Sequence, residues 1–194
     1  MAHRAGLDQQ AVIQAAAELA DSVGYEEVTL ALLADRLGIR TPTLYHYFDG
    51  LDGLKRALAL RGKRELGRVL GRAVMGRSGD EALEAMAIAY RAYAQEHPGL
   101  YRALQRAAAR DDTAMLEADA EVVEIVLRVL APLRLQRESA IHTVRLWRSL
   151  LHGFVSLELD GGFGLPQDID ETFRRLVVVM LQMVKEAQHH ERGH

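Results

Sequence analysis

Between positions 29 and 48 the chain reads TLALLADRLGIRTPTLYHYF, and the residue types and spacing there point to a definite chemistry. Ala34 is small enough for two helices to cross closely, and Gly38, four positions on, suits a turn with unusual backbone angles. Leu44, six further, faces back to an apolar core that Leu33, Leu37 and Ile39 complete. This is the pattern of a helix-turn-helix, whose second helix lies in the DNA major groove with its first residues near base edges. The outward residues of that helix are Arg40, Thr41, Thr43, Tyr45, His46 and Tyr47. They offer donors, acceptors and aromatic faces to phosphates, bases and thymine methyls. Thr29 opens the preceding helix, where it caps free amides and touches a phosphate.

Other chemistries find little support. The chain has no cysteine, which removes disulfides, zinc–thiolate sites and thiol nucleophiles. No serine sits in a glycine-flanked nucleophile elbow. His152 and Glu158 are six residues apart and point to different helix faces, so they do not make an acid–base pair. His189, His190 and His194 fall in a polar tail, which reads as a frayed end and not as a metal site. No enzyme activity, cofactor or metal is expected.

The elements that must position the motif are helical. Of 194 residues, 49% are hydrophobic, 26% are charged and only 4 are proline, a balance that supports a real core and favours helices. Asp8 caps a first amphipathic helix over 7–24, with Leu7 as a staple and Gly24 as a left-handed stop. Further helices are expected over 29–38, 41–48, 51–74, 100–109, 113–130, 137–159 and 168–187, with Pro42 in the first turn of the third. Ser78 and Glu81 suggest a capping box for one more, ending near Glu96. The fold class is therefore all-α, about nine helices: a three-helix head over 1–52, a body over 53–188 and a tail over 189–194. The start, MAHRAGLDQQ, shows no apolar signal, and the longest apolar run, Leu176 to Leu181, is far too short to span a bilayer. A cytoplasmic protein with no membrane partner is expected.

The body mixes polar and aromatic groups with Ala, Leu and Val. Tyr90, Tyr93, Tyr101, Arg145, Arg148 and His152 are the candidates for an enclosed ligand site. The alternative is that each is a satisfied core or interface residue. The last helix is apolar nearly all round, and a partner subunit is the simplest cover for its second face. Phe173, Val177, Met180, Leu181 and Val184, with Trp147, Leu150 and Phe154 of the helix before, are the expected interface of a four-helix homodimer.

The stretch from Gly24 to Leu54 resembles the DNA-binding domain of the tetracycline-repressor (TetR) family, and TPTLYHYF is its most specific part. From Trp147 the chain also resembles a TetR subgroup with a Trp-His-Gly signature, here Trp147, His152 and Gly153. The resemblance implies an N-terminal DNA-binding head, a ligand-binding body and homodimerisation. The family has a lysine near the start of the fourth helix for a phosphate; here Leu51 stands there and Lys55 follows one turn later. Residues 1–54 carry three positive against eight negative side chains, about -5. The expected function is a ligand-responsive repressor that binds double-stranded DNA at a palindromic operator. The expected partners are that operator, a second copy of the chain and a small-molecule effector of unspecified chemistry. The rival reading is a helical ligand- or protein-binding module whose acidic head binds DNA weakly or not at all.

Overall fold

The structure, a computed structural model, describes residues 8–192, with side chains to residue 188. Leu7, expected as a staple, and the side chains of His189, His190 and His194 lie outside the described residues. Among the described residues there are nine α-helices and no strand. They are α1 (Gln9–Val23), α2 (Leu30–Leu37), α3 (Thr41–Leu44), α4 (Gly50–Ala73), α5 (Gly79–Glu96), α6 (Pro98–Ala103), α7 (Thr113–Leu130), α8 (Arg137–Leu159) and α9 (Ile169–Arg192).

The chain divides into two compact units, Met1–Glu65 with Glu96–Leu116, and Leu66–Gln95 with Glu117–His194. In the first, α1 packs on α2 and α6, and α2 packs on α3. Val12, Ala16, Leu33, Leu44, Leu54 and Leu58 fill its core. Local chemistry sets the helix ends. The Asp8 carboxylate accepts the Ala11 N–H at 2.7 Å, and Thr29 Oγ1 accepts the Leu32 N–H at 3.2 Å. Gly38 closes α2 at φ 63°, ψ 33°, the left-handed region that a residue with a Cβ enters only at a cost.

Helix α6 is built into this unit from both sides. Asp21 Oδ1 accepts the Gly99 N–H at 2.8 Å and the Leu100 N–H at 3.1 Å, supplying the cap that α6 lacks locally. His97 Nδ1 lies 3.2 Å from the other carboxylate oxygen. A Cβ on Gly99 would sit 2.2 Å from the Ala20 carbonyl carbon, and one on Gly62 would sit 2.9 Å from the Leu100 oxygen.

The second unit has its own core, with Met86, Tyr90, Tyr93, Trp147, Leu151, Phe173 and Met180 buried. Helices α8 and α9 pack together, and the Phe154 and Phe173 rings lie 5.2 Å apart. Arg91 ties three helices. It donates to Glu158 of α8, with Nε to Oε2 at 2.9 Å, and to Asp170 of α9 at 2.7 Å, and its guanidinium sits 4.7 Å from the Phe173 ring. Gln95 Nε2 also donates to Glu158 at 3.0 Å. These bonds, to Glu158 first, hold Arg91 far above the ordinary guanidinium range.

Three expectations are corrected. The recognition segment is helical only over Thr41–Leu44; turns with three-residue spacing carry it to Tyr47 (Tyr45 N–H to Pro42 O, His46 N–H to Thr43 O), and the Phe48 N–H bonds to Leu44 O. Helix α6 ends at Ala103 and not near Ala109. Glu81 pairs with Arg77 at 3.2 Å instead of closing a capping box on Ser78.

Candidate nucleic-acid interface

The candidate surface is the end of the helix-turn-helix. Leu33, Ala34 and Leu44 are buried in the core beneath it, which fixes α3 against α2. Above that seam the polar residues face outward. Tyr45 is 61% exposed, an unusual position for a large aromatic ring on a stable protein. Arg40 and His46 are exposed, and Thr41, Thr43 and Tyr47 are half-buried. One further residue supports this ridge: Gln9 Nε2 of α1 donates to the Tyr47 carbonyl at 3.0 Å. That contact spans 38 positions, and no local signal announces it.

The cations of this region are mostly engaged. Lys55 Nζ lies 3.2 Å from Glu26 Oε2 and 4.8 Å from the centre of the Tyr25 ring. Arg36 pairs with Glu18 at 3.1 Å. Arg56 makes a bidentate pair with Asp112, and Arg106 another with Asp52 at 2.8 and 3.0 Å. Hydrogen bonds from their arginines hold the Asp52 and Asp112 carboxyls below the usual range. Arg40 makes no ion pair among the described residues. Thr29 has its hydroxyl oxygen in the α2 cap.

The candidate effector residues are divided between the two units. Tyr90 and Tyr93 are buried in the second unit, whereas Tyr101 is buried in the first. Arg145 and Arg148 are exposed on α8, so their expected inward position is not observed: the inward face carries Val144, Trp147 and Leu151. His152 is half-buried, with Nδ1 3.4 Å from Ser156 Oγ. Burial first, and Arg148 second, push its pKa below the ordinary imidazole value. Two grooves are lined by other residues. One of about 570 Å³ runs along Asp52, Arg56, Arg106 and Asp112, and one of about 250 Å³ lies beside Arg91, Phe173 and Ile88.

The expected dimer residues mostly serve the protomer itself. Trp147, Phe154, Phe173, Val177, Met180 and Val184 are buried within it, and Leu150 and Leu181 are half-buried. The physical reason is that α8 and α9 bury their larger apolar faces against their own neighbours. The apolar side chains left uncovered on these helices include Leu146, Leu157, Val178 and Val179.

Comparison with known proteins adds the family context. Residues 12–58 match the bacterial regulatory proteins of the tetR family, and residues 83–180 match the tetracyclin repressor-like C-terminal domain. The chain is 36% identical over 173 residues to the uncharacterized HTH-type transcriptional regulator YobS of Bacillus subtilis, covering 89% of this chain and 90% of that one. It is 35% identical to the uncharacterized HTH-type transcriptional regulator Rv0681 of Mycobacterium tuberculosis, covering 88% and 77%. Among solved structures it shares the fold of a TetR variant from Acinetobacter baumannii in complex with minocycline. The TM-score there is 0.73 at 21% identity, over 94% of this chain and 99% of that one.

Proposed function

This chain belongs to the tetR family of bacterial regulatory proteins and is a helix-turn-helix transcriptional regulator, and on that premise we propose that it is a ligand-responsive repressor acting as a homodimer. Regulators of this kind are not enzymes, and no residue is assigned a catalytic role. The DNA-binding region is 1–52, the ligand-binding and dimerisation region is 53–188, and 189–194 is a polar tail. Its site of action is the cytoplasm, and no described helix is long and apolar enough to cross a membrane.

The observation that carries the reading is the exposed Tyr45 ring, 61% open, on a ridge that Leu44 anchors from below. Thr41, Thr43, His46 and Tyr47 share that ridge, and Arg40 at its start makes no ion pair among the described residues. With Thr29 and Lys55 they form the proposed DNA contact set. Two such ridges in a two-fold dimer read a near-palindromic operator, with half-sites about 34–36 Å apart or a multiple of that. An operator selected from random sequence tests this. Tyr45→Ala should lower operator affinity by about 1–3 kcal/mol while melting and helicity stay unchanged. Unchanged affinity in a Tyr45→Ala, Thr43→Ala double variant would remove the assignment.

The effector site is assigned to the interior of the second unit, where the buried Tyr90 and Tyr93 and the half-buried His152 support a small, partly apolar ligand. Any effector that releases DNA must bind the two states of the protein unequally. Trp147, His152 and Gly153 support assignment to the Trp-His-Gly subgroup, and open space lies beside the Gly153 α-carbon. Dimerisation is assigned to the outer faces of α8 and α9, around Leu146, Leu157, Val178 and Val179.

A further inference from the structure

Lys55 is the one lysine in the proposed DNA contact set, and it is not free. Its side chain is 21% exposed, lies over the Tyr25 ring with Nζ 4.8 Å from the centre, and reaches Glu26 at 3.2 Å. Glu26 itself is 76% exposed, in the turn between α1 and α2. Water reaches the Glu26 carboxylate and screens part of what it gains from Lys55. The Tyr25 ring is a different matter. It is buried, it fixes the lysine stem, and so it sets where the ammonium stands. The ring therefore holds the lysine stem, and Glu26 places a negative charge 3.2 Å from the ammonium.

We infer that Glu26 is a built-in counter-charge to Lys55, which lowers the affinity of this protein for any duplex irrespective of sequence. The inference rests on the DNA-binding reading and names a regulator of that same surface. Contacts to phosphate supply the sequence-independent part of binding, whereas Tyr45, Thr43 and Thr41 address base edges. An acid that competes with phosphate for the lysine therefore mutes the first part and leaves the second. The arrangement extends beyond one pair, since Arg36 is matched by Glu18 in the same unit. A net charge of about -5 over residues 1–54 follows the same logic.

The test is a double-mutant cycle on the full-length protein, read by fluorescence anisotropy with a labelled duplex of random sequence at several salt concentrations. Glu26→Gln should tighten binding several-fold and steepen the slope of log K against log salt by roughly 0.9, the value of one added phosphate contact. In a Lys55→Met background the same change should do neither, because Met keeps the stem over Tyr25 without the charge. Lys55→Gln repeats the cycle if the Met variant melts early. Equal tightening in both backgrounds would mean that Glu26 acts by direct repulsion and overturns the inference. So would unchanged or weaker binding of Glu26→Gln, the latter meaning that the acid positions the lysine. If Tyr45→Ala still weakens the operator, only this inference has failed. If neither wild type nor Glu26→Gln binds any duplex, the DNA-binding reading fails with it.

Discussion

His152 shows how one side chain links burial to pH. Its pKa is depressed, first by burial and then by Arg148, so the folded protein prefers it neutral. The unfolded chain protonates a histidine near pH 6.5, about the free value, before the folded chain does. The unfolded state then binds more protons, and stability falls as pH drops through that value towards the depressed one. Above it the effect is absent. His152→Gln should therefore flatten the loss of thermal stability between about pH 7.5 and 5.5 relative to wild type. Parallel melting-temperature curves for the two proteins would show that the ring titrates as it does in water. The residues of the proposed DNA surface were more legible than this one. Thr41, Thr43, Tyr45 and His46 follow from the helix-turn-helix spacing, which dictates which side chains face out. The engagement of Lys55 by Glu26 was not legible, because 29 positions separate the pair and only the fold brings them together.

At the scale of elements, α1 and α6 approach each other closely at Gly99. At residue 99 any side chain would meet backbone, with 2.2 Å to the Ala20 carbonyl carbon and 2.6 Å to the Asp21 nitrogen. Backbone cannot rotate aside as a flexible side chain can. Gly99→Ala should therefore cost at least the upper part of the ~1–3 kcal/mol range for overpacking, read as a fall in the urea midpoint. A midpoint unchanged from wild type would mean that α6 docks differently. Helix ends governed by local chemistry were legible: Asp8 and Thr29 each open a helix, and Gly38 closes one, where their chemistry places the end. The end of α6 was not. Ala107, Ala108 and Ala109 are strong helix formers, yet the chain leaves the helix at Ala103. There the segment is pinned by Arg106 on Asp52 and by Asp112 on Arg56, pairs 54 and 56 positions apart. Two bidentate charge pairs outweigh the few tenths of a kcal/mol by which those alanines favour a helix. The burial of the expected dimer residues within their own protomer was not legible either. An all-round apolar α9 does not announce which half its own protomer covers.

For the whole molecule, assembly is the property most open to test. Leu146 is 52% exposed and Val178 54% exposed in the single chain, so charges there leave the protomer core intact. Leu146→Glu with Val178→Glu should give a folded monomer by sedimentation that has lost operator binding, since unpaired charge in a closed interface is costly. A dimer that survives the double change at micromolar concentration would place the subunit contact elsewhere. The hold on α9 has one further consequence. The connection between α8 and α9 is open at Leu165, which is 77% exposed, and two positions earlier the Phe163–Gly164 bond has the sequence that chymotrypsin cuts. Past it, α9 buries Phe173, Val177, Met180 and Val184 in the second unit. It is also fastened at both ends, by Arg91 to Asp170 at the start and by Lys185 to Asp80 and Gln188 to the Leu133 carbonyl near the end. A nick after Phe163 should therefore cut the chain without releasing the piece. The two fragments should travel together on gel filtration and part only in denaturant, so the same protein should assemble from two separately synthesised segments.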